Sequence, residues 1–122
     1  MSTSARNIAA WVLQVLLGLA FIASGANKFL HLPATVGMFG SLGLPGALAY
    51  VIGGAELLGG IGLLVPHFVR PAAVGLVIIM VGALFMHATK IPGGPAKGVP
   101  ALALLVLLRV VLWLRRPAPA AG

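Results

Sequence analysis

The sequence contains no cysteine and a single acidic residue, Glu56, in 122 positions. Without cysteine the chain forms no disulfide, no thiolate metal site and no iron–sulfur cluster of its own. Redox chemistry would therefore need a bound cofactor, a quinone or a partner subunit. Charge of either sign is scarce, at 7% of residues, where soluble domains carry about a quarter. That is too little to cover a surface facing water. Against the one acid stand eight Lys and Arg, for a formal net charge of +7. A basic balance suits nucleic acid only where cations cluster on a water-facing surface. Here they lie between or at the ends of apolar runs, which excludes a nucleic-acid interface. Their place points instead to membrane topology and contact with anionic lipid head groups.

What the chain has in abundance is apolar residues, 61% of the total, with a mean hydropathy of +1.15. They fall into four runs, at about 8–29, 46–65, 71–88 and 100–114. The first is longer than the hydrophobic part of a signal peptide and continues into a patterned polar end, so it reads as a retained helix. Pro66 ends the second run, and Pro71 and Pro100 suit first helical positions. The fourth run gives about 22 Å of helix, short of a membrane core of about 30 Å, a mismatch that flanking cations or local thinning absorb. The pattern predicts an all-α fold: one integral membrane domain built as a four-helix bundle. Between the first two spans, at 33–43, Val36, Phe39 and Leu42 recur every third residue. That spacing predicts a short interfacial helix or re-entrant segment. The Gly- and Pro-rich stretch at 89–99 reads as an irregular loop, and 116–122 as a disordered tail. Four spans put both termini on one side, with Arg6, Arg70, Arg115 and Arg116. Lys28, Lys90 and Lys97 take the other side. The excess of cations on the first side favours cytoplasmic termini.

The informative residues are the polar ones at membrane depth. Glu56 lies about ten residues into the second span, roughly 15 Å from its end. There a carboxylate costs on the order of 2.5–3.5 kcal/mol, so it is expected to face the interior and to be protonated or paired. Ala49, Gly53, Glu56 and Gly60 share a face, and Gly53 and Gly60 are structural candidates because small residues let backbones approach closely. On the first span Gln14, Phe21, Ser24 and Lys28 lie within about 40° of one another. On the third, Leu76, Met80, Ala83 and His87 share a face. Glu56, Lys28, His87, Ser24 and Gln14 are therefore the candidates for ligand binding or proton relay, with a Lys28–Glu56–His87 cluster permitted by geometry. Each has a plainer role: Lys28 as an interfacial anchor, His87 as a helix cap, Glu56 in a structural ion pair. Arg109 lies near Glu56 in depth and is either a rival partner or a structural cation reaching for the interface. His31 and His67 fall in loops on opposite sides. A haem would need two histidines at membrane depth, and only His87 approaches it. No metal-ligand cluster, hydrolase triad or phosphate-cradling loop is present.

The segments GLAFIASGANKF at 18–29, FGSLGLP at 39–45, GGAELLGGIGLL at 53–64 and GALFMHATK at 82–90 together form a pattern. In order and spacing it resembles the DoxX-like family of small four-helix membrane proteins, from about Leu16 to Lys90; the fourth helix is matched by hydrophobicity alone. That family takes its name from a subunit of a thiosulfate:quinone oxidoreductase. Some relatives are membrane parts of oxidoreductase assemblies, and more distant ones act in assembly or chaperoning. The resemblance implies a multi-pass protein of the bacterial cytoplasmic membrane and a redox-linked subunit that binds a quinone or similar lipophile in the outer half of the bundle. The lipid bilayer is its first partner, with an oxidoreductase subunit or further copies of the chain beside it. Two alternatives stay open: a non-catalytic assembly factor, scaffold or oligomeric structural protein, and a proton or small-molecule conduit through Gln14, Ser24 and Glu56.

Overall fold

The structure, a computed structural model, describes residues 2–89 and 98–117. The loop expected at 90–97, with Lys90 and Lys97, and the tail from 118 onward lie outside these residues.

Helix α1 runs Thr3–Leu30, several residues ahead of the apolar run at Ile8. The early start has a local cause: Ser2 sits in extended backbone and its Oγ accepts the Ala5 N–H at 3.1 Å, capping the first turn. His31 ends α1 and opens α2, Leu32–Ser41, with a proline in the first turn. Thr35 ties the two together, its hydroxyl lying 3.0 Å from the His31 carbonyl and 3.3 Å from that of Lys28. Gly43, at φ 78°, supplies the left-handed turn that leads out of α2. Helix α3 spans Ala47–Leu64, and a short 3-10 turn at Pro66–Phe68 leads directly into α4, Val69–Thr89. Pro71 is therefore the third residue of its helix, not the first. It fits because first-turn amides have no partner within the helix in any case. Helix α5 is Val99–Leu114, with Pro100 in its first turn.

The long helices α1, α3, α4 and α5 form an up-down-up-down bundle in which each contacts its sequence neighbour and α5 returns to α1. Helix α2 lies across the end where α1 passes into α3 and packs on both. Three of the four, at 18 residues or more, are long and apolar enough to cross a bilayer. Helix α5, at 16 residues, is about 24 Å long. Large apolar side chains cover the outside: Leu58 is 73% exposed and Ile78 66%. Such a surface suits acyl chains and not water. Inside, Leu17, Phe21, Leu63, Leu76, Leu108 and Val111 form the apolar middle of the bundle.

The tightest seam joins α1 to α3. A Cβ on Gly60 would stand 2.7 Å from the Gly18 carbonyl oxygen, and one on Gly25 would stand 2.6 Å from that of Gly53. The stripe Ala49, Gly53, Glu56 and Gly60 is the buried face of α3. Backbone thus lies on backbone, which only glycine permits at both crossings. Gly25→Ala and Gly60→Ala should each destabilise the bundle by about 1–3 kcal/mol, the usual cost of overpacking. Gly54, with nothing within 4 Å of its would-be Cβ, should accept alanine without loss. Thermal unfolding in detergent of the three variants checks the contrast.

Candidate functional site

Glu56 and Lys28 meet across the α1–α3 seam. The Lys28 ammonium lies 2.7 Å from Glu56 Oε1, and the carboxylate is 3% exposed against 23% for the lysine side chain. The seam sets this up: with Gly25 against Gly53, the last turn of α1 lies close enough for a lysine to bend back to a carboxylate on α3. Lys28 also donates to Ser24 Oγ, one turn earlier, at 3.1 Å. This is the one ion pair among the described residues. It neutralises the single acid of the chain and so answers the cost of burying it.

The pair forms part of the wall of a cavity of about 550 Å³ lined by residues of all five helices. Phe21, Ser24 and Lys28 come from α1, Ile52 and Glu56 from α3, Met80 and Met86 from α4, and Ala101 and Leu104 from α5. Helix α2 and its turn cover the mouth with Met38, Phe39, Leu42 and Leu44. Phe39 is buried there. His87 lines the same cavity, and its Nδ1 is the one buried side-chain polar atom without a hydrogen-bond partner among the described residues. His87 bonds to neither Lys28 nor Glu56, so the expected three-membered cluster is a contacting pair and a separate imidazole sharing one chamber. A largely apolar chamber of this size with a few convergent polar groups has the character of a small-molecule site. A second space, about 500 Å³ between α3 and α4 and floored by Gly59, Gly62 and Gly75, has an almost wholly apolar lining. It offers nothing to orient a polar ligand.

Two of the candidate residues lie elsewhere. Gln14 is fully buried, but at the end of the bundle where the chain begins. Its amide donates to the Leu63 carbonyl at 2.8 Å and its Oε1 accepts from Arg115 Nε at 2.6 Å. Fourteen residues of helix, about 21 Å, separate it from Lys28, with buried Leu17 and Phe21 between. Gln14 shares the azimuth of Ser24 and Lys28 but not their depth, so it belongs to a different polar layer. Arg109 is exposed on the outer face of α5, beside Leu105, Val106, Val110 and Trp113. It makes no pair with Glu56. His31 and His67 are exposed at opposite ends, and no group of three metal-ligating side chains occurs among the described residues. The sequence reading did not anticipate that α2 forms part of the cavity. Its signal was the alignment of Met38, Phe39 and Leu42, which the third-residue spacing only partly shows.

Removing one member of a buried pair strands the other charge. Glu56→Ala and Lys28→Met should each destabilise the bundle, Glu56→Ala by about 3 kcal/mol or more. The double variant Lys28→Met/Glu56→Leu should recover much of the loss. A double-mutant cycle read by unfolding in detergent micelles tests this; simple additivity of the two changes would mean that the pair contributes no coupling.

Comparison with known proteins adds to this geometry. Residues 9–89 match the DoxX family. Over 81 residues the chain is 35% identical to a Bacillus subtilis (strain 168) protein named "Putative oxidoreductase CatD". The alignment covers 66% of this chain and 60% of that protein, less than two thirds of the relative's length. No solved structure matches significantly. The match takes in α1 through α4, with both halves of the ion pair, His87 and the segment that covers the cavity. The chain is a multi-pass membrane protein and belongs to the DoxX family.

Proposed function

We propose that the chain is a redox-linked membrane subunit that holds a quinone or similar carbonyl-bearing lipophile in the cavity between its helices. The observation that carries this reading is a largely apolar chamber whose wall holds Lys28, Glu56 and His87, with the His87 Nδ1 buried and unpartnered. A buried polar atom without a partner is rare and calls for a reason. A ligand carbonyl accepting from Nδ1, in the tautomer that carries its proton there, supplies one. Lys28 has three N–H donors and directs two of them at Glu56 and Ser24. The third is left for a second carbonyl. The walls are largely apolar, and α2 and the turn after it line one side. A bound quinone supplies a two-electron, two-proton acceptor, and with no cysteine in the chain the electrons come from a partner subunit. Glu56 and Lys28 hold exchangeable protons at the polar side of the chamber. The name of the Bacillus subtilis relative, a putative oxidoreductase, points to the same class of chemistry.

Purified protein should be stabilised by ubiquinone or menaquinone, and one of them should be recovered by mass spectrometry of its lipid extract. His87→Ala and Glu56→Gln should each weaken binding on the order of tenfold, the value of one hydrogen bond involving a charged or buried partner. No thermal shift with any quinone, and none in the extract, would remove this reading. The alternative, a non-catalytic scaffold or assembly factor, would then stand. What favours it is the directness of the Lys28–Glu56 contact, which satisfies both groups as a helix-joining ion pair.

The same proposal places the protein in the bacterial cytoplasmic membrane with its termini in the cytoplasm. Arg6, Arg70, Arg115 and Arg116 gather at the end of the bundle that carries the termini, and Lys28 at the other. A green fluorescent protein fused after the last residue should fluoresce, and an alkaline phosphatase fused there should be inactive; the reverse pattern would invert the topology.

A further inference from the structure

At the end of the bundle away from the cavity, the first turn of α1 and the last residues of α5 enclose a second polar space of about 350 Å³. It is lined by Thr3, Ser4, Arg6, Asn7, Arg115 and Arg116. We propose that it binds the phosphodiester group of an anionic phospholipid.

The argument begins with Arg115, which is held in place before any ligand arrives. Its Nε donates to Gln14 Oε1 at 2.6 Å and its Nη1 to Asn7 Oδ1 at 2.8 Å. Gln14 is itself fully buried and fixed by the Leu63 carbonyl. The guanidinium also lies over the Trp11 ring, 5.5 Å from its centroid. Two of its five N–H donors are used in this way, which leaves three in a rigid fork suited to phosphate oxygens. Arg6 and Arg116 stand beside it, and the first turn of α1 carries no acidic side chain to offset its helix dipole. Among the described residues, three arginines thus line one space with no carboxylate beside them. The single acid of the chain, Glu56, is bound to Lys28 at the opposite end. An anion supplied by the bilayer balances this charge.

The surroundings indicate which anion. Both tryptophans of the chain, Trp11 and Trp113, lie at this end, the second with Arg116 stacked 4.6 Å over its ring. Tryptophan gathers at the head-group level of a bilayer. Ile8 and Trp113, next in sequence to the lining residues Asn7 and Leu114, present exposed apolar surface, 64% and 55%, where acyl chains would run. Basic sites between helices at this level take lipid phosphates. A lipid phosphodiester meets both halves of this environment, whereas free phosphate meets only the charged half.

The test uses the full chain, delipidated in a neutral detergent, with thermal unfolding and tryptophan fluorescence as readouts. Phosphatidylglycerol should raise the unfolding temperature and perturb the fluorescence, and phosphatidylcholine or millimolar inorganic phosphate should do neither. Arg6→Gln and Arg116→Gln should each weaken phosphatidylglycerol binding about fivefold, and Arg6→Gln should leave the lipid-free unfolding temperature unchanged. Arg6 is the cleaner probe, because Arg115→Gln would also undo the Gln14 contact and Arg116→Gln the stack on Trp113. Arg109→Gln, which removes the same charge from the outer face of α5, should leave binding as it was. Equal stabilisation by phosphatidylcholine, or an effect of Arg109→Gln as large as that of Arg6→Gln, would overturn the site. A full response to inorganic phosphate would overturn the lipid as its occupant.

Discussion

A carboxylate inside a bilayer has to be met by a counter-charge at contact distance, and the packing of α1 on α3 is arranged around that demand. Lys28 lies in the last turn of α1 and Glu56 in the middle of α3. Their 2.7 Å contact exists because the two backbones come together at Gly18–Gly60 and Gly25–Gly53. Between two helices separated by ordinary side chains, at 8–10 Å, the same lysine would reach upward to the head groups more easily than sideways to the acid. The glycines are thus part of the electrostatics. They fix the distance at which a charge pair becomes cheaper than an ammonium in the interface.

The same seam divides the interior into layers. At one end lie Lys28, Glu56, Ser24 and His87 around the cavity, and at the other Gln14, Asn7 and Arg115 around the chain termini. Between them Leu17, Phe21, Leu63, Leu76, Leu108 and Val111 fill the middle. A conduit through Gln14, Ser24 and Glu56 would have to pass that layer, in which Leu17 and Phe21 are 2% and 1% exposed. A chamber closed at its inner end by packed apolar side chains suits a bound molecule better than a passing one.

How much of this could be read from the sequence depended on what each inference needed. The helices were legible because long apolar runs bounded by proline and cations leave few alternatives. The burial of Glu56 was legible because Ala49, Gly53 and Gly60 mark its face as the one against a neighbour. Gln14 shows where such reasoning stops. Azimuth on a helical wheel placed it correctly toward the interior, but a wheel discards depth, and about 21 Å along the axis puts it in another layer. Arg109 shows a different limit: the sequence left it either a partner of Glu56 or a cation reaching for the interface, because on a helix apolar all round nothing says which side meets lipid. The Asn7–Gln14–Arg115 contacts join residues more than 100 positions apart, a proximity that only the return of α5 to α1 creates.

The two polar layers also use different cations, and the difference is physical. A lysine presents a compact charge on a flexible stem, able to bend onto one buried oxygen. That suits a chamber where a carboxylate, a hydroxyl and an imidazole share a small space. Arginine stays charged and offers donors in a fixed plane, so it can brace several acceptors at once and stack on an indole. At the far end Arg115 does this, taking Gln14, Asn7 and Trp11 together, and Arg70 ties α4 to the Leu112 carbonyl of α5 at 2.8 Å. The arginines hold the ends of helices that have no carboxylate to join them. The lysine serves the one place where a single buried carboxylate has to be met.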